Sequence, residues 1–216
     1  MQKILTLFAF ALMSFAANAQ ICPNDNHPHI IDLGLPSGTK WACCNVGATT
    51  PEAYGGYYAW CETEEKSTYN WSNYKYWTDN NGDGSVDENE VTNLGSDIAG
   101  TQYDVAHVKW GGSWVMPSLD QIKELVYNCT YSWTTMNGVQ GCKFTGPNGS
   151  SIFLPAEGYR WNDGLINNGN YGYYWSSTRH PSYSGRAFDL YFTSNSTGWR
   201  YNYRLYDGRS VRPVSR

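Results

Sequence analysis

The chain has 216 residues, a formal net charge of −4 and only 16% charged residues, but it contains 22 Gly, 18 Tyr and 10 Trp. This composition argues against a helical bundle. The buried core must consist largely of aromatic rings, and the many glycines indicate frequent turns. It also argues against a nucleic-acid partner, since the sequence has no lysine-rich stripe.

The first 19 residues have the pattern of a secretory signal peptide. Lys3 supplies a positive start, Ile4 to Phe15 form an apolar run, and Ala17-Asn18-Ala19 form a small-residue cleavage site. We therefore expect an exported chain, in the periplasm, on the outer cell surface or secreted, with an irregular lead at 20–29 and one domain at 30–216. Because no later apolar run approaches about 20 residues, no transmembrane segment is expected in the mature chain.

Six cysteines in an exported chain allow up to three disulfides, and their spacing does not select a connectivity. Cys129 with Cys142 is the first candidate pair, and two buried free thiols are the alternative. The cysteines are Cys22, Cys43, Cys44, Cys61, Cys129 and Cys142.

Two strands and a helix are predicted at the start of the domain. Ile30 to Leu33 and Lys40 to Cys44 have strand-like composition and flank a turn with proline and glycine, so we expect a hairpin. The TTPE sequence at 49–52 supplies a threonine N-cap, a proline at the first helical position and a capping-box acid. It predicts a short helix running toward Trp60.

Residues 79–90, DNNGDGSVDENE, fit the twelve-residue EF-hand calcium loop. Oxygen-bearing side chains occupy the ligand positions, Gly84 permits the sharp turn, and Val86 fills the apolar eighth position. Residues 62–77 before the loop are irregular, and neither flank is convincingly helical. We predict a lone loop with a structural Ca²⁺ ion, and a solvated acidic loop without metal is the alternative. The predicted ligands are Asp79, Asn81, Asp83, Ser85, Asp87 and Glu90.

The middle of the chain contains the clearest helix signal. Residues 105–116 are strand-like around Gly111-Gly112, and Ser118 then forms a capping box with Gln121 ahead of apolar residues at helical spacing. This predicts a helix as far as Asn128. Beyond it, we expect a hairpin at 130–144 that turns at an Asn-Gly pair, a strand at 151–154 and a loop at 159–170.

The C-terminal stretch at 172–214 predicts a small antiparallel sheet. Apolar residues alternate with polar ones at 188–193, and strand-like segments follow at 199–203 and 210–212. Trp175 is assigned to the core. A solvent-facing side of a sheet that carries tyrosine, tryptophan and arginine is typical of a recognition surface. The residues predicted to face outward and bind a ligand are Asp189, Tyr191, Thr193, Trp199, Tyr201, Tyr203, Arg204 and Tyr206.

Charge is distributed unevenly along the chain. All eight arginines lie at or after position 160, where three aspartates are the only acidic residues, whereas residues 20–159 carry six lysines against sixteen carboxylates. A basic C-terminal sheet on an acidic body favours an anionic partner such as an acidic polysaccharide. The alternative is that the arginines cover and stack on the tyrosine rings of the same region.

Five motifs together resemble the Fibrobacter succinogenes major paralogous domain family. They are IDLGLPSGTKWA followed by NVGA within 31–48, HVKWGGSWVMPS at 107–118, SIFLPAEGYR at 151–160, YYWSST at 173–178 and GRSVRPV at 208–214. The resemblance implies an α+β, C-type-lectin-like fold of short antiparallel sheets, two short helices and long irregular loops, with the N- and C-terminal strands close together. It relates the chain to formylglycine-generating-enzyme-type domains and to retroelement-diversified receptors. Their ligand surface corresponds to Ser177 to Arg209 here.

The residues and the resemblance favour a non-catalytic, exported module that binds a glycan or another cell-surface ligand. The alternative is a structural or adhesive envelope protein that binds a protein partner through the same face. A groove with stacked rings and amide side chains would favour a sugar, and a flat, partly hydrophobic patch would favour a protein. An enzyme is not expected, since the motifs of common hydrolases and nucleotide-binding enzymes are absent. The carboxylates considered for glycoside hydrolysis are Glu62, Glu64, Glu65 and Glu157.

Overall fold

The computed structural model describes residues 29–84 and 90–215, apart from the side chains of 202 and 203. Within that part of the chain, small antiparallel sheets predominate over two helices, which confirms the predicted α+β class. The helices are α1 (Val105–Trp110) and α2 (Leu119–Asn128). The strands are β1 (Ile30–Asp32), β2 (Lys40–Ala42), β3 (Trp114–Val115), β4 (Thr130–Met136), β5 (Val139–Thr145), β6 (Ser151–Pro155), β7 (Tyr159–Trp161), β8 (Gly164–Ile166), β9 (Gly172–Arg179), β10 (Arg186–Phe192), β11 (Thr197–Arg204) and β12 (Val214–Ser215).

The first and last described strands lie in one sheet. Its order is β1-β2-β12-β3, and Val214 of β12 is opposite both Trp41 of β2 and Val115 of β3. The strands near the two chain ends are therefore close together, as expected. The predicted hairpin of β1 and β2 is confirmed, with Ile31 opposite Trp41. The signal peptide and nearly all of the lead at 20–29 lie outside the described residues.

The sheet that carries the predicted recognition surface has the order β11-β10-β9. The predicted strands at 188–193 and 199–203 are confirmed as β10 and β11, but the third strand is β9 rather than 210–212. That closing segment instead makes a single bridge, in which the Trp175 amide donates to the Ser210 carbonyl at 3.1 Å. Its neighbourhood contains two buried arginine side chains: Arg209 pairs with Asp189 of the sheet, and Arg212 donates to the carbonyls of Ala42, Cys43 and Phe153.

Three predictions based on local propensity are wrong, because tertiary contacts determine the secondary structure of these segments. Residues 51–60 contain no helix, because the chain extends there and Tyr58 exchanges backbone hydrogen bonds with Arg209. Residues 105–110 form α1 because the buried Asp104 carboxylate accepts the amides of Ala106 and His107 as an N-cap. The predicted loop at 159–170 contains the hairpin of β7 and β8.

The elements with complete local signals are confirmed. In α2, Ser118 and Gln121 form a reciprocal capping box, and the helix ends at Asn128. The hairpin of β4 and β5 turns at Asn137-Gly138, both with positive φ.

Among the described residues, no helix is long and apolar enough to cross a lipid bilayer.

Two clusters of buried side chains form the core. One gathers around Trp60, Trp110 and Trp175. The other contains buried residues of α2, β5, β6, β9 and β10, and α2 packs against the sheet β11-β10-β9. Trp175 is fully buried, which confirms its assignment to the core.

The cysteines that the structure describes are free thiols. Cys142 is fully buried on β5 and Cys129 is half-buried at the end of α2, so the alternative of two free thiols is the one found. Burial raises the pKa of Cys129 to about 11 and that of Cys142 to about 12, which keeps both thiols protonated. Cys22 lies outside the described residues.

Gly172→Ala tests how tightly the C-terminal sheet packs. A Cβ at Gly172 would overlap the Phe192 ring, whereas a Cβ at Gly198 would lie 3.6 Å from the Tyr191 ring, an ordinary contact. We expect Gly172→Ala to lower the free energy of unfolding by about 1–3 kcal/mol and Gly198→Ala to change it by less than about 1 kcal/mol. Urea denaturation measures both, and equal effects would contradict the packing described.

Candidate functional site

The C-terminal sheet has two faces that carry different side chains. Leu190 of β10 is opposite Trp199 of β11, and Asp189 is opposite Arg200. Because opposed residues of an antiparallel pair point to the same side, Trp199 lies on the Leu190 face and Arg200 on the Asp189 face. We call these the helix-side face and the arginine-side face. The helix-side face carries Phe188, Leu190, Phe192, Trp199 and Tyr201.

The prediction of one shared outward face on β10 and β11 is therefore wrong. Tyr191 points away from the side on which Trp199 and Tyr201 lie. The alternation along β10 was predicted correctly, since Leu190 and Phe192 are buried against α2. The error lies in the register between the strands, which the sequence of the connecting turn does not specify.

Asp189 is buried rather than exposed, because the arginine-side face is covered by Arg209. Asp189 and Arg209 are both fully buried and form an ion pair, and Asp207 lies 3.5 Å from the same guanidinium. The guanidinium carbon is 4.6 Å from the Trp175 ring centroid and 5.1 Å from that of Tyr173. Burial raises the pKa of Asp189 to about 7 and that of Asp207 to about 6, and the Arg209 charge opposes both shifts. This cluster lies inside the fold and is not accessible to a ligand.

Tyr206 is also buried, with 3% of its surface exposed, because its ring packs 4.9 Å from that of Trp71. Its hydroxyl accepts a hydrogen bond from the exposed Arg204 at 2.7 Å. Thr193 is half-buried in the turn between β10 and β11, where its hydroxyl accepts the Asn195 amide. The Tyr203 side chain lies outside the described residues. Of the predicted ligand-binding residues, Trp199 and Tyr201 share a surface.

Arginines of the C-terminal half stack on aromatic rings. Such stacking was the alternative to an anionic partner as the explanation of their clustering. Arg200 lies 3.3 Å from the Tyr191 centroid and Arg186 lies 5.1 Å from that of Tyr183. Cation–π contacts of this kind also involve Arg160, Arg204 and Arg209. The excess of arginine is thus used mainly within the fold.

A groove of about 1160 Å³ opens where β9 leads into β10. Residues from 91–97, from the start of α2 and from 178–184 line it, together with Phe188. Hydroxyl, amide and carboxylate groups are frequent in this lining. Arg179 holds the two walls together, since its guanidinium donates to the Asn93 side chain at 3.1 Å and to the Ser184 carbonyl at 2.6 and 2.9 Å.

Four rings at the edge of the groove form an aromatic cluster, defined as His180, Tyr183, Phe188 and Tyr201. The His180 ring lies 4.8 Å from Tyr183 and 4.6 Å from Tyr201, and these two tyrosine rings are parallel within 4°. Tyr183 is 47% exposed and Tyr201 is 43% exposed. The cluster thus offers adjacent aromatic faces to solvent beside polar groups of the groove.

Partial burial and the nearby Arg186 guanidinium lower the pKa of His180. Its Nδ1 accepts the amides of Ser182 and Tyr183, both at 3.1 Å. A neutral imidazole is therefore favoured at neutral pH, because Nδ1 must keep its lone pair to accept these bonds. His180 fixes the turn that carries Tyr183.

The described part of the predicted calcium loop has an ordered stem. Thr78 and Glu90 are joined by a backbone hydrogen bond of 3.0 Å, and Trp77 pairs with Val91, so a β-bridge rather than two helices flanks the loop. Asp79 accepts the amides of Gly82 and Gly84. Ser85 and Asp87 lie outside the described residues.

Glu90 and its surroundings provide the test of whether the loop suits a cation. Glu90 is 7% exposed; its Oε1 accepts the amides of Asn80 and Asn81, and its Oε2 is buried with no hydrogen-bond partner among the described residues. A buried carboxylate oxygen of this kind suits a hard cation. Among the described residues, however, no three His, Cys, Asp or Glu side chains lie close enough together to hold a metal.

The carboxylates considered for glycoside hydrolysis have structural contacts. Glu62 pairs with Lys66 at 2.8 Å, Glu64 pairs with Lys109, and Glu65 accepts the Tyr57 amide. Glu157 is fully buried, which raises its pKa well above the ordinary value, and its Oε1 accepts the Tyr173 amide. None of the four lines the groove.

Sequence reasoning missed the groove and half of the aromatic cluster. His180 and Tyr183 lie in the turn between β9 and β10, where no periodicity marks them. The wall at 91–97 is brought to the sheet by the bridge between Asp97 and Thr178, a contact between distant segments. The only local signal was the density of tyrosine and histidine at 171–183.

No protein-family model matches the chain. No curated protein and no solved structure matches it either.

Arg209→Met tests whether the arginine-side face is structural. Removing the guanidinium leaves Asp189 and Asp207 buried without their counter-charge, so we expect the free energy of unfolding to fall by about 3–5 kcal/mol. Arg204→Met removes one hydrogen bond to the Tyr206 hydroxyl at an exposed position and should lower it by no more than about 1.5 kcal/mol.

Denaturation at two pH values adds a second test of the same cluster. Because burial raises the pKa of Asp189 and Asp207 in the folded state, their protonation relieves the unpaired charges at acidic pH. The loss in Arg209→Met should therefore be larger at mildly alkaline than at mildly acidic pH. A pH-independent loss, or one matched by Arg204→Met, would contradict this role.

Proposed function

We propose that the chain is an exported, non-catalytic module that binds a glycan in the groove beside β9 and β10. The observation that carries the proposal is the position of two exposed, parallel tyrosine rings, Tyr183 and Tyr201, beside a polar groove. Sugar rings have apolar faces that stack on aromatic side chains and hydroxyl groups that need hydrogen-bond partners. A groove with both features suits a sugar. A protein partner would favour a flat, partly hydrophobic patch instead.

The same proposal includes a C-type-lectin-like fold and membership of the Fibrobacter major paralogous domain family. Three features support it: the five sequence motifs, the pairing of β12 with β2, and a C-terminal sheet that carries exposed aromatic rings. The proposed ligand region still lies between Ser177 and Arg209, but it uses the helix-side face and the turn at 180–185. Asp189 and Tyr206 have no part in it.

A glycan array tests the proposal directly. Mature protein is compared with a Tyr183→Ala, Tyr201→Ala double variant, and we expect the variant to bind at least about fivefold more weakly, since each stacked ring contributes about 0.5–1.5 kcal/mol beyond its buried area. Both rings are exposed, so the variant should fold normally, which near-ultraviolet circular dichroism checks.

Tyr131→Ala is the matched control, because Tyr131 is 38% exposed on β4, beyond the far end of α2 from the groove. It should bind as the unaltered protein does. Absence of glycan binding by the unaltered protein would contradict the proposal and favour the alternative, an envelope protein with a protein partner. Equal loss in Tyr131→Ala and in the double variant would contradict the location of the site.

We also propose that the loop at 79–90 holds a structural Ca²⁺ ion. Asp79, Asn81, Asp83 and Glu90 are described side chains that would contribute oxygen ligands, and the buried Oε2 of Glu90 supports this. The ion would supply positive charge beside the loop's carboxylates. It would steady the long segment between Trp77 and Val91.

Thermal unfolding with calcium and with a chelator tests this second proposal. A ligand at about 100 times its Kd stabilises the native state by about 2.7 kcal/mol, and each kcal/mol raises Tm by about 2–4 °C in a chain of this size. Glu90→Gln should abolish the difference in Tm, whereas Asp163→Asn, outside the loop, should keep it. An unaltered protein with the same Tm in calcium and in chelator would contradict the proposal.

A further inference from the structure

The helix-side face continues past the groove as a second aromatic surface. The Tyr127 ring of α2 lies 5.3 Å from that of Trp199 on β11, at an interplanar angle of 73°. The Lys123 ammonium lies 5.8 Å from the Trp199 centroid. Tyr127 is 71% exposed, so a large apolar area faces solvent beside a positive charge.

Helix α2 connects this surface with the groove. Asp120 lines the groove, Lys123 pairs with it at 3.5 Å, and Tyr127 follows one turn later. Residues at spacings of three and four lie on the same side of a helix. Seven residues of α-helix rise about 10 Å, so the surface extends by about that length beyond the groove.

Strand β11 makes the same connection on the other side. Tyr201 of the aromatic cluster and Trp199 are two residues apart on one face of the strand. Two residues of an extended strand advance about 7 Å. The aromatic cluster and the Trp199–Tyr127 pair are therefore neighbours on a continuous surface between α2 and β11.

We propose that the groove and the Trp199–Tyr127 pair form one track that binds an unbranched polysaccharide along its length. This inference rests on the proposed glycan-binding function and specifies its substrate class. Successive aromatic rings along the track would stack on successive sugar units, while Asp120 and Lys123 lie between them as polar groups. A single terminal sugar bound in the groove would not contact Tyr127 or Trp199.

Isothermal titration calorimetry with disaccharides and hexasaccharides of β-glucan, xylan and mannan tests the track. We expect at least one series in which the hexasaccharide binds at least about tenfold more tightly than the disaccharide. In that series, Tyr127→Ala should weaken the hexasaccharide about three- to tenfold and leave the disaccharide unchanged. Tyr201→Ala should weaken both.

Trp161→Ala serves as the control here, because Trp161 is 46% exposed on β7, outside both α2 and β11, and it should leave both affinities unchanged. Because Tyr127 is exposed, its replacement does not disturb the core, and circular dichroism verifies this. Equal affinity for the two chain lengths, or a hexasaccharide that Tyr127→Ala binds normally, would overturn the track while leaving a glycan site in the groove. Absence of binding to every oligosaccharide would instead count against the glycan function on which the track rests.

Discussion

The described fold depends on two arginine side chains buried near its C-terminal end. The Arg212 guanidinium donates to the backbone carbonyls of Ala42, Cys43 and Phe153, at 3.1, 2.7 and 3.0 Å, and so joins segments more than 100 residues apart. Arg209 pairs with Asp189 and stacks on Trp175. A buried cation is costly unless these partners are in place, so the closing segment can occupy only one position. That position fixes which face of the C-terminal sheet is covered.

Features set by neighbouring residues were predictable, and features set by long-range pairing were not. The capping box at Ser118 and the turn at Asn137-Gly138 each contain their full physical cause within a few residues. The residues at 51–60 carry a helix-start signal too, but backbone pairing with a segment 150 residues later overrides it. Local propensity is a weak prior when the competing state buries a whole segment.

In the candidate site, too, some side-chain positions were predictable from neighbouring residues and others depend on long-range pairing. Alternation along β10 was correct, yet the register with β11 places Trp199 and Tyr201 on the other face of the sheet from Asp189 and Tyr191. Period-two alternation assigns sides within a strand and gives no relation between strands. His180 and Tyr183 belong to a turn, where side-chain direction follows from hydrogen bonds such as those at the His180 Nδ1. Such contacts leave no periodic signal in the sequence.

The division of the sheet into two faces also determines what a ligand would encounter. On the arginine-side face, Arg209 is buried in an ion pair with Asp189, and the Arg200 guanidinium stacks on the Tyr191 ring. On the helix-side face, aromatic rings are exposed and the nearby Lys123 is paired with Asp120. Recognition there would depend on stacking and short hydrogen bonds rather than on long-range charge. A neutral polysaccharide would therefore suit this surface better than the acidic polymer that the clustering of arginines first suggested.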